Sequence, residues 1–81
     1  MIDRHLVRAI VDLALFLERS NDMTVDADAA VDALENLALH LQAMDGITRD
    51  KLIAALAEIA PSYGQDAEFV REFAANFGLE D

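Results

Sequence analysis

The chain reads as an all-α protein, a compact four-helix bundle whose helices are mostly antiparallel, and three observations lead to that reading. Apolar residues recur at helical spacing in four segments. No segment shows the strict alternation or β-branched enrichment of a strand. Ala, Leu, Glu and Asp dominate, with one Pro and three Gly in 81 residues, so little in the composition interrupts a helix. A chain of this length buries only about 60–65% of its unfolded surface and cannot divide its core, so residues 1–81 form a single domain. The breaks between segments are about three to six residues long, as expected between neighbouring antiparallel helices.

The first helix is expected over residues 3–19, with Asp3 as its N-cap. Leu6, Ile10, Leu13 and Leu17 are spaced four, three and four apart and share one face, the expected core stripe. Val7, Ala9, Val11, Ala14, Leu15 and Phe16 widen the apolar surface until only Arg4, Arg8, Asp12, Glu18 and Arg19 mark a solvent side. Such a helix either lies near the bundle centre or has a second face covered by a partner; Val11 and Leu15 are the residues expected on that outer side.

Ser20-Asn21-Asp22 breaks the pattern, and Thr24 or Asp26 can cap a second helix over residues 25–44. Its expected seam is Ala27, Ala30, Val31, Leu34, Leu37, Ala38, Leu41 and Met44, a heptad-like repeat suited to shallow packing on the first helix. Asp45-Gly46 ends it, with Gly46 in the left-handed conformation. Thr48 is the expected cap of a third helix over residues 48–60, with Leu52, Ile53, Leu56, Ile59 and Ala60 inward and Pro61 stopping or distorting its last turn. Ser62-Tyr63-Gly64-Gln65 reads as a turn, and either Ser62 with Gln65 as a capping box or, the favoured reading, Asp66 alone starts a fourth helix over residues 66–77. Phe69, Val70, Phe73, Ala74 and Phe77 form its inward stripe, Gly78 stops it, and Leu79-Glu80-Asp81 is expected to fray.

Charge is uneven along the chain. The net charge is -10, yet residues 1–19 carry three acids against three arginines and sum to zero. Residues 20–48 hold Asp22, Asp26, Asp28, Asp32, Glu35 and Asp45 with no Lys or Arg, a sum of -6; residues 49–81 supply the remaining -4. A field of this sign repels nucleic acid and anionic lipid, whose phosphates call for Lys and Arg. Direct nucleic-acid binding is therefore not expected. With 54% hydrophobic residues the chain is too apolar for an acidic disordered tail. Cysteine is absent, which suits a reducing compartment, and the mixed charges of the N-terminal segment suit neither a signal peptide nor a membrane span; a soluble cytoplasmic protein is the default expectation.

Groups for catalysis are few: Ser20, Ser62, Thr24, Thr48, Tyr63, His5 and His40. They form no recognisable nucleophile or acid-base constellation, so no enzyme is expected. Nor is a cofactor or metal. Aligning Asp45-Gly46 with positions five and six of an EF-hand loop puts Leu41 and Ala43 at positions one and three and Leu52 at position twelve, none of which ligates calcium. Asp26 and Asp28 are better explained by the positive end of a helix dipole. Acyl carrier proteins share the size, acidity and helix count, but neither Ser20-Asn21-Asp22 nor Ser62-Tyr63-Gly64 supplies their Asp-Ser-Leu attachment motif.

The outer face of the second helix carries the most specific signal. At 100° per residue Asp28, Asp32, Glu35 and Leu39 project within about 60° of one another. Protein interfaces combine an apolar anchor with charge that steers the encounter, so these four residues form a candidate surface for a basic protein partner.

Through Val25 to Met44, and from Arg71-Glu72-Phe73 to Gly78-Leu79-Glu80, the chain resembles small acidic helical proteins of bacteria. It is similar in kind to immunity proteins, small acidic helical inhibitors that bind and neutralise a cationic toxin or nuclease. The tyrosine-rich motif of the nuclease-colicin immunity proteins is missing, so no site residue follows from the likeness. The function expected is that of a non-enzymatic, immunity-type inhibitor of a basic toxin or enzyme. The alternatives are a homo-oligomeric structural protein, dimerising through Val11 and Leu15, and an acyl or lipid carrier using the space around Phe69, Phe73 and Phe77.

Overall fold

Every regular element is helical in the computed structural model, which describes residues 2–20, 23 and 25–80. Helix α1 spans Arg4–Arg19 and begins where Asp3 accepts the Leu6 N–H at 3.0 Å, which satisfies one of the unpaired donors of a helix start. Ser20 closes it by donating both its hydroxyl and its backbone N–H to the Leu17 carbonyl. Helix α2 spans Ala27–Gln42, two residues shorter at each end than expected, and Asp26 caps it by accepting the Ala29 N–H at 3.1 Å. Thr24, the alternative cap, and Asn21 and Asp22 of the expected break lie outside the described residues.

The second half departs from four separate helices. Helix α3 spans Gly46–Ile59, then passes through a 3₁₀ stretch, Ala60–Asp66, into α4, Ala67–Asn76. Residues 46–76 thus run from helix through a 3₁₀ turn to helix with a reversal at Gly64, whose backbone is not helical, and the described chain has three helical segments, the last with two arms. Asp45, not Thr48, caps α3, accepting the Thr48 N–H at 2.7 Å. Gly46 therefore opens that helix and does not end the previous one in a left-handed conformation; the only glycines at positive φ are Gly64 and Gly78. The α-helix ends at Ile59, two residues before Pro61, as expected of a proline that stops or distorts the last turn. Pro61 itself sits in the first turn of the 3₁₀ stretch, and the reversal falls at Gly64, whose φ of 55° glycine adopts at little cost. Asp66 makes no side-chain cap to α4, because its carboxylate is held by Arg19.

The end of α4 is a Schellman motif: Leu79 N–H donates to the Ala74 carbonyl, Gly78 N–H donates to that of Ala75, and Gly78 has φ 76°. Leu79 does not fray. It is folded back into the core, as the apolar residue following such a motif commonly is.

The core forms where α1 lies against the bent segment. Phe73 is fully buried at its centre, edge-on to Phe69 with ring centroids 6.0 Å apart and stacked on Phe77 at 4.2 Å, so the expected aromatic ladder fills the interior. The α1 contribution is rotated from the expected one. Val7, Val11 and Ala14 are completely buried, whereas Leu6 and Leu13 are each 55% exposed. The rings and the leucines of α3 already supply bulk, so the short side chains of α1 take the closest contact while Leu6 and Leu13 turn outward. This corrects the assignment of Val11 and Leu15 to an outer dimerising surface: Val11 is core, and Leu15 is half-buried against it.

Polar ties reinforce the same junction. Arg4 pairs with Glu58 at 3.3 Å and Arg19 pairs with Asp66. Arg8 donates to the Ser62 hydroxyl at 3.0 Å and lies over the Tyr63 ring, and Tyr63 donates its hydroxyl to Asp12 at 2.8 Å. Burial, reinforced by the Asp12 carboxylate, holds the Tyr63 phenol above its ordinary pKa. Helix α2 is docked more lightly. Its only buried residues are Ala30 and Leu41, and Gln42 at its last turn donates to the Phe77 carbonyl at 2.9 Å.

Candidate functional site

The alanine-rich stretch around Ala27 to Ala38 gives α2 only a narrow seam, so most of its circumference faces outward. Asp28, Asp32, Glu35 and Leu39 are all exposed, Leu39 at 63%. Helical geometry aligns them along one side of a single straight element, as the spacing suggests. Asp28 also lies in the first turn of α2, where the helix dipole favours a negative charge.

Beside this stripe the structure reveals a feature that periodicity did not. Val31, expected in the seam, is 52% exposed and forms part of the floor of an open groove of about 320 Å³ with Leu34, Ala38 and Phe77. Glu18 of α1 and Glu35 of α2 border it. A second recess of about 230 Å³ shares Glu18, Val31 and Leu34 and continues along α2 toward Ala27 and Ser20. Glu35 thus belongs both to the outer stripe and to the groove, so carboxylates flank an apolar trough. Glu18 was missed because its spacing within α1 assigns it only to a solvent side. Its proximity to α2 depends on how two helices cross, which no single-helix pattern carries.

Electrostatics set this face apart. The ion pairs among the described residues are Arg4–Glu58, Arg19–Asp66 and Arg71–Glu68, and none includes Asp28, Asp32, Glu35 or Glu18. Arg8 is engaged at Ser62 and Tyr63. The acids of α2 therefore keep a field that the chain's own cations do not neutralise. A larger recess of about 390 Å³ lies between the start of α1 and α3, but Arg4, Lys51, Asp3 and Glu58 mix both signs on its walls.

The hydroxyls and imidazoles are dispersed. Ser20 closes α1, Ser62 donates to the Ile59 carbonyl at 2.6 Å, Thr48 lies in the first turn of α3, and Tyr63 is bound to Asp12. His5 and His40 are exposed on different helices, and Thr24 is outside the described residues. The described residues contain no cluster of three or more His, Asp or Glu side chains arranged to hold a metal ion, and no described helix is long and apolar enough to cross a membrane. Comparison with protein-family models, with characterised proteins and with solved structures finds no match to this chain.

Proposed function

We infer that the chain is a non-enzymatic protein-binding module that docks a basic partner on the outer side of α2, acting as an immunity-type inhibitor. The observation that carries this reading is the groove itself: an apolar floor of Val31, Leu34 and Ala38 flanked by Glu18 and Glu35, next to Asp28, Asp32 and Leu39, with no basic side chain among them. Carboxylates so placed attract a cationic surface over a distance of about a Debye length, 8–10 Å at ordinary salt. The exposed valine and leucine then supply the apolar contact that keeps the complex together. On a basic toxin or nuclease the same carboxylates would stand in for substrate phosphates and occlude the groove that binds them.

The reading is tested by capturing partners from the native host with the intact protein and with a variant changed at Asp32→Ala, Glu35→Ala and Leu39→Ala together. The expected result is capture of a basic protein by the unchanged chain, an affinity that falls as salt rises, and loss of capture by the triple variant. Capture that is indifferent to the triple change removes this face from consideration.

A further inference from the structure

The outward side of α1 is a second exposed apolar surface, separate from the acidic groove. Leu6 and Leu13 at 55% exposure and Phe16 at 54% lie on one face of the helix, with the exposed Ala9 between them. At 100° per residue these four span about 80°. Among small proteins a contiguous patch of this kind marks an interaction site more often than do single exposed leucines.

Three observations point to a second copy of the same chain as its occupant. The first is charge. Leu6, Ala9, Leu13 and Phe16 carry no charge, and the arginines of α1 are engaged by Glu58, Ser62 and Asp66, so this face is where two chains of net charge -10 can meet with little repulsion, and a basic partner finds no carboxylate within it. The second is spacing. Leu6 and Phe16 lie five residues either side of Val11, and Ala9 and Leu13 lie two either side of it. If two copies of α1 run antiparallel about a two-fold axis at that level, Leu6 meets Phe16 of the other copy and the large Leu13 meets the small Ala9. An isologous interface requires this self-complementarity, and the 3-4-3 spacing of the stripe provides it. The third is size. One helical face buries a few hundred Å² per chain, well below the ~800 Å² of a standard interface, which fits a weak, concentration-dependent dimer.

We propose that the Leu6, Ala9, Leu13, Phe16 face of α1 mediates an antiparallel homodimer. The proposal does not depend on the α2 groove, and the two surfaces respond oppositely to salt. Salt weakens a complex between opposite charges, but it strengthens a dimer of two acidic bodies joined through a neutral face, because it screens their mutual repulsion.

Sedimentation equilibrium on the whole chain, from micromolar to millimolar, is the direct test. The expected result is a mass rising from 8.9 kDa toward twice that value, with tighter association at higher salt. Leu13→Lys should weaken the association about tenfold or more, while Val31→Lys, a similar change on the α2 groove, should leave it unaltered; circular dichroism checks that both variants remain helical. Because the chain has no native cysteine, the arrangement can be read by cross-linking. Under mild oxidation an Ala9→Cys chain mixed with a Leu13→Cys chain should form the mixed disulfide in preference to either symmetric one, since only that pair lies at one level across the axis. A mass fixed at 8.9 kDa across the concentration range, association indifferent to Leu13→Lys, or preferential Leu13→Cys self-linking would overturn the proposal.

Discussion

Arg19, the last residue of α1, grips Asp66, the residue before α4, through both terminal guanidinium nitrogens, so the end of one helix pins the start of another 47 residues along the chain. The carboxylate is half-buried and the geometry bidentate, the arrangement in which an Arg–carboxylate pair contributes most. Arg19 itself is 62% exposed, and solvent screening keeps the contribution small. Arg19→Ala and Asp66→Ala should each cost roughly 0.5–1 kcal/mol in urea unfolding, and the double variant should cost no more than the larger single change. Were Asp66 acting as a helix cap, its loss would still matter after Arg19 was removed; additive costs would show that the pair is not its role.

A second tie, between the ends of α2 and α4, is the Gln42 side chain donating to the Phe77 carbonyl, with Gly78 leaving it room. A Cβ at Gly78 would lie 2.6 Å from Gln42 Nε2, and its φ of 76° disfavours any side chain. Gly78→Ala should destabilise the fold by about 1–2 kcal/mol, the sum of left-handed backbone cost and a forced shift of Gln42. In a Gln42→Ala background the steric part disappears while the backbone part remains. The penalty for Gly78→Ala measured there should therefore be smaller; an equal penalty would mean that Gln42 yields freely.

The cap of α3 makes a pH prediction. Asp45 is held below the usual carboxylate range chiefly because its ionised form accepts the Thr48 N–H, with the Thr48 hydroxyl adding to the effect. A group whose folded pKa is depressed contributes stability that is present above its unfolded pKa and lost as pH falls through the folded value. The stability gap between the wild-type chain and Asp45→Ala should accordingly be constant from neutral pH down to about pH 5 and narrow below roughly pH 4, the ordinary carboxylate range. Urea unfolding at a series of pH values measures it. A gap that widens on acidification would contradict the assigned hydrogen bond.

Much of this architecture is legible in single-helix patterns, and the departures have a common cause. Asp3 and Asp26 cap the helices expected of them because a cap depends on a few adjacent residues. The Phe69, Phe73, Phe77 ladder is equally plain, since no other face of α4 could bury so much apolar area. Pro61 ends the α-helical turns just ahead of it for the same local reason, but it carries no sign of the 3₁₀ stretch that follows or of the reversal at Gly64. The α1 face misleads for a different reason: the helix is apolar on two sides, and choosing between them requires knowing which neighbours approach closely. The candidate site divides in the same way. Asp28, Asp32, Glu35 and Leu39 follow from one helix's periodicity, whereas the groove that joins Glu18 to Val31 exists only through tertiary contact.

The rotation of α1 can itself be tested by a pair of substitutions two residues apart. Val11 is completely buried in the core, so Val11→Ala removes two methyl groups from a packed site and should cost about 2 kcal/mol, the transfer free energy of those groups plus the cavity they leave. Leu13 is more than half exposed, and Leu13→Ala removes more atoms but little buried surface, so at concentrations where the chain is monomeric it should cost under about 0.5 kcal/mol. The Leu6, Ile10, Leu13, Leu17 stripe demands the reverse order, with the leucine change several-fold more damaging. Chemical denaturation of the two variants at low concentration decides between the faces, because the difference rests on which side of one helix faces the core and not on the size of the side chain removed.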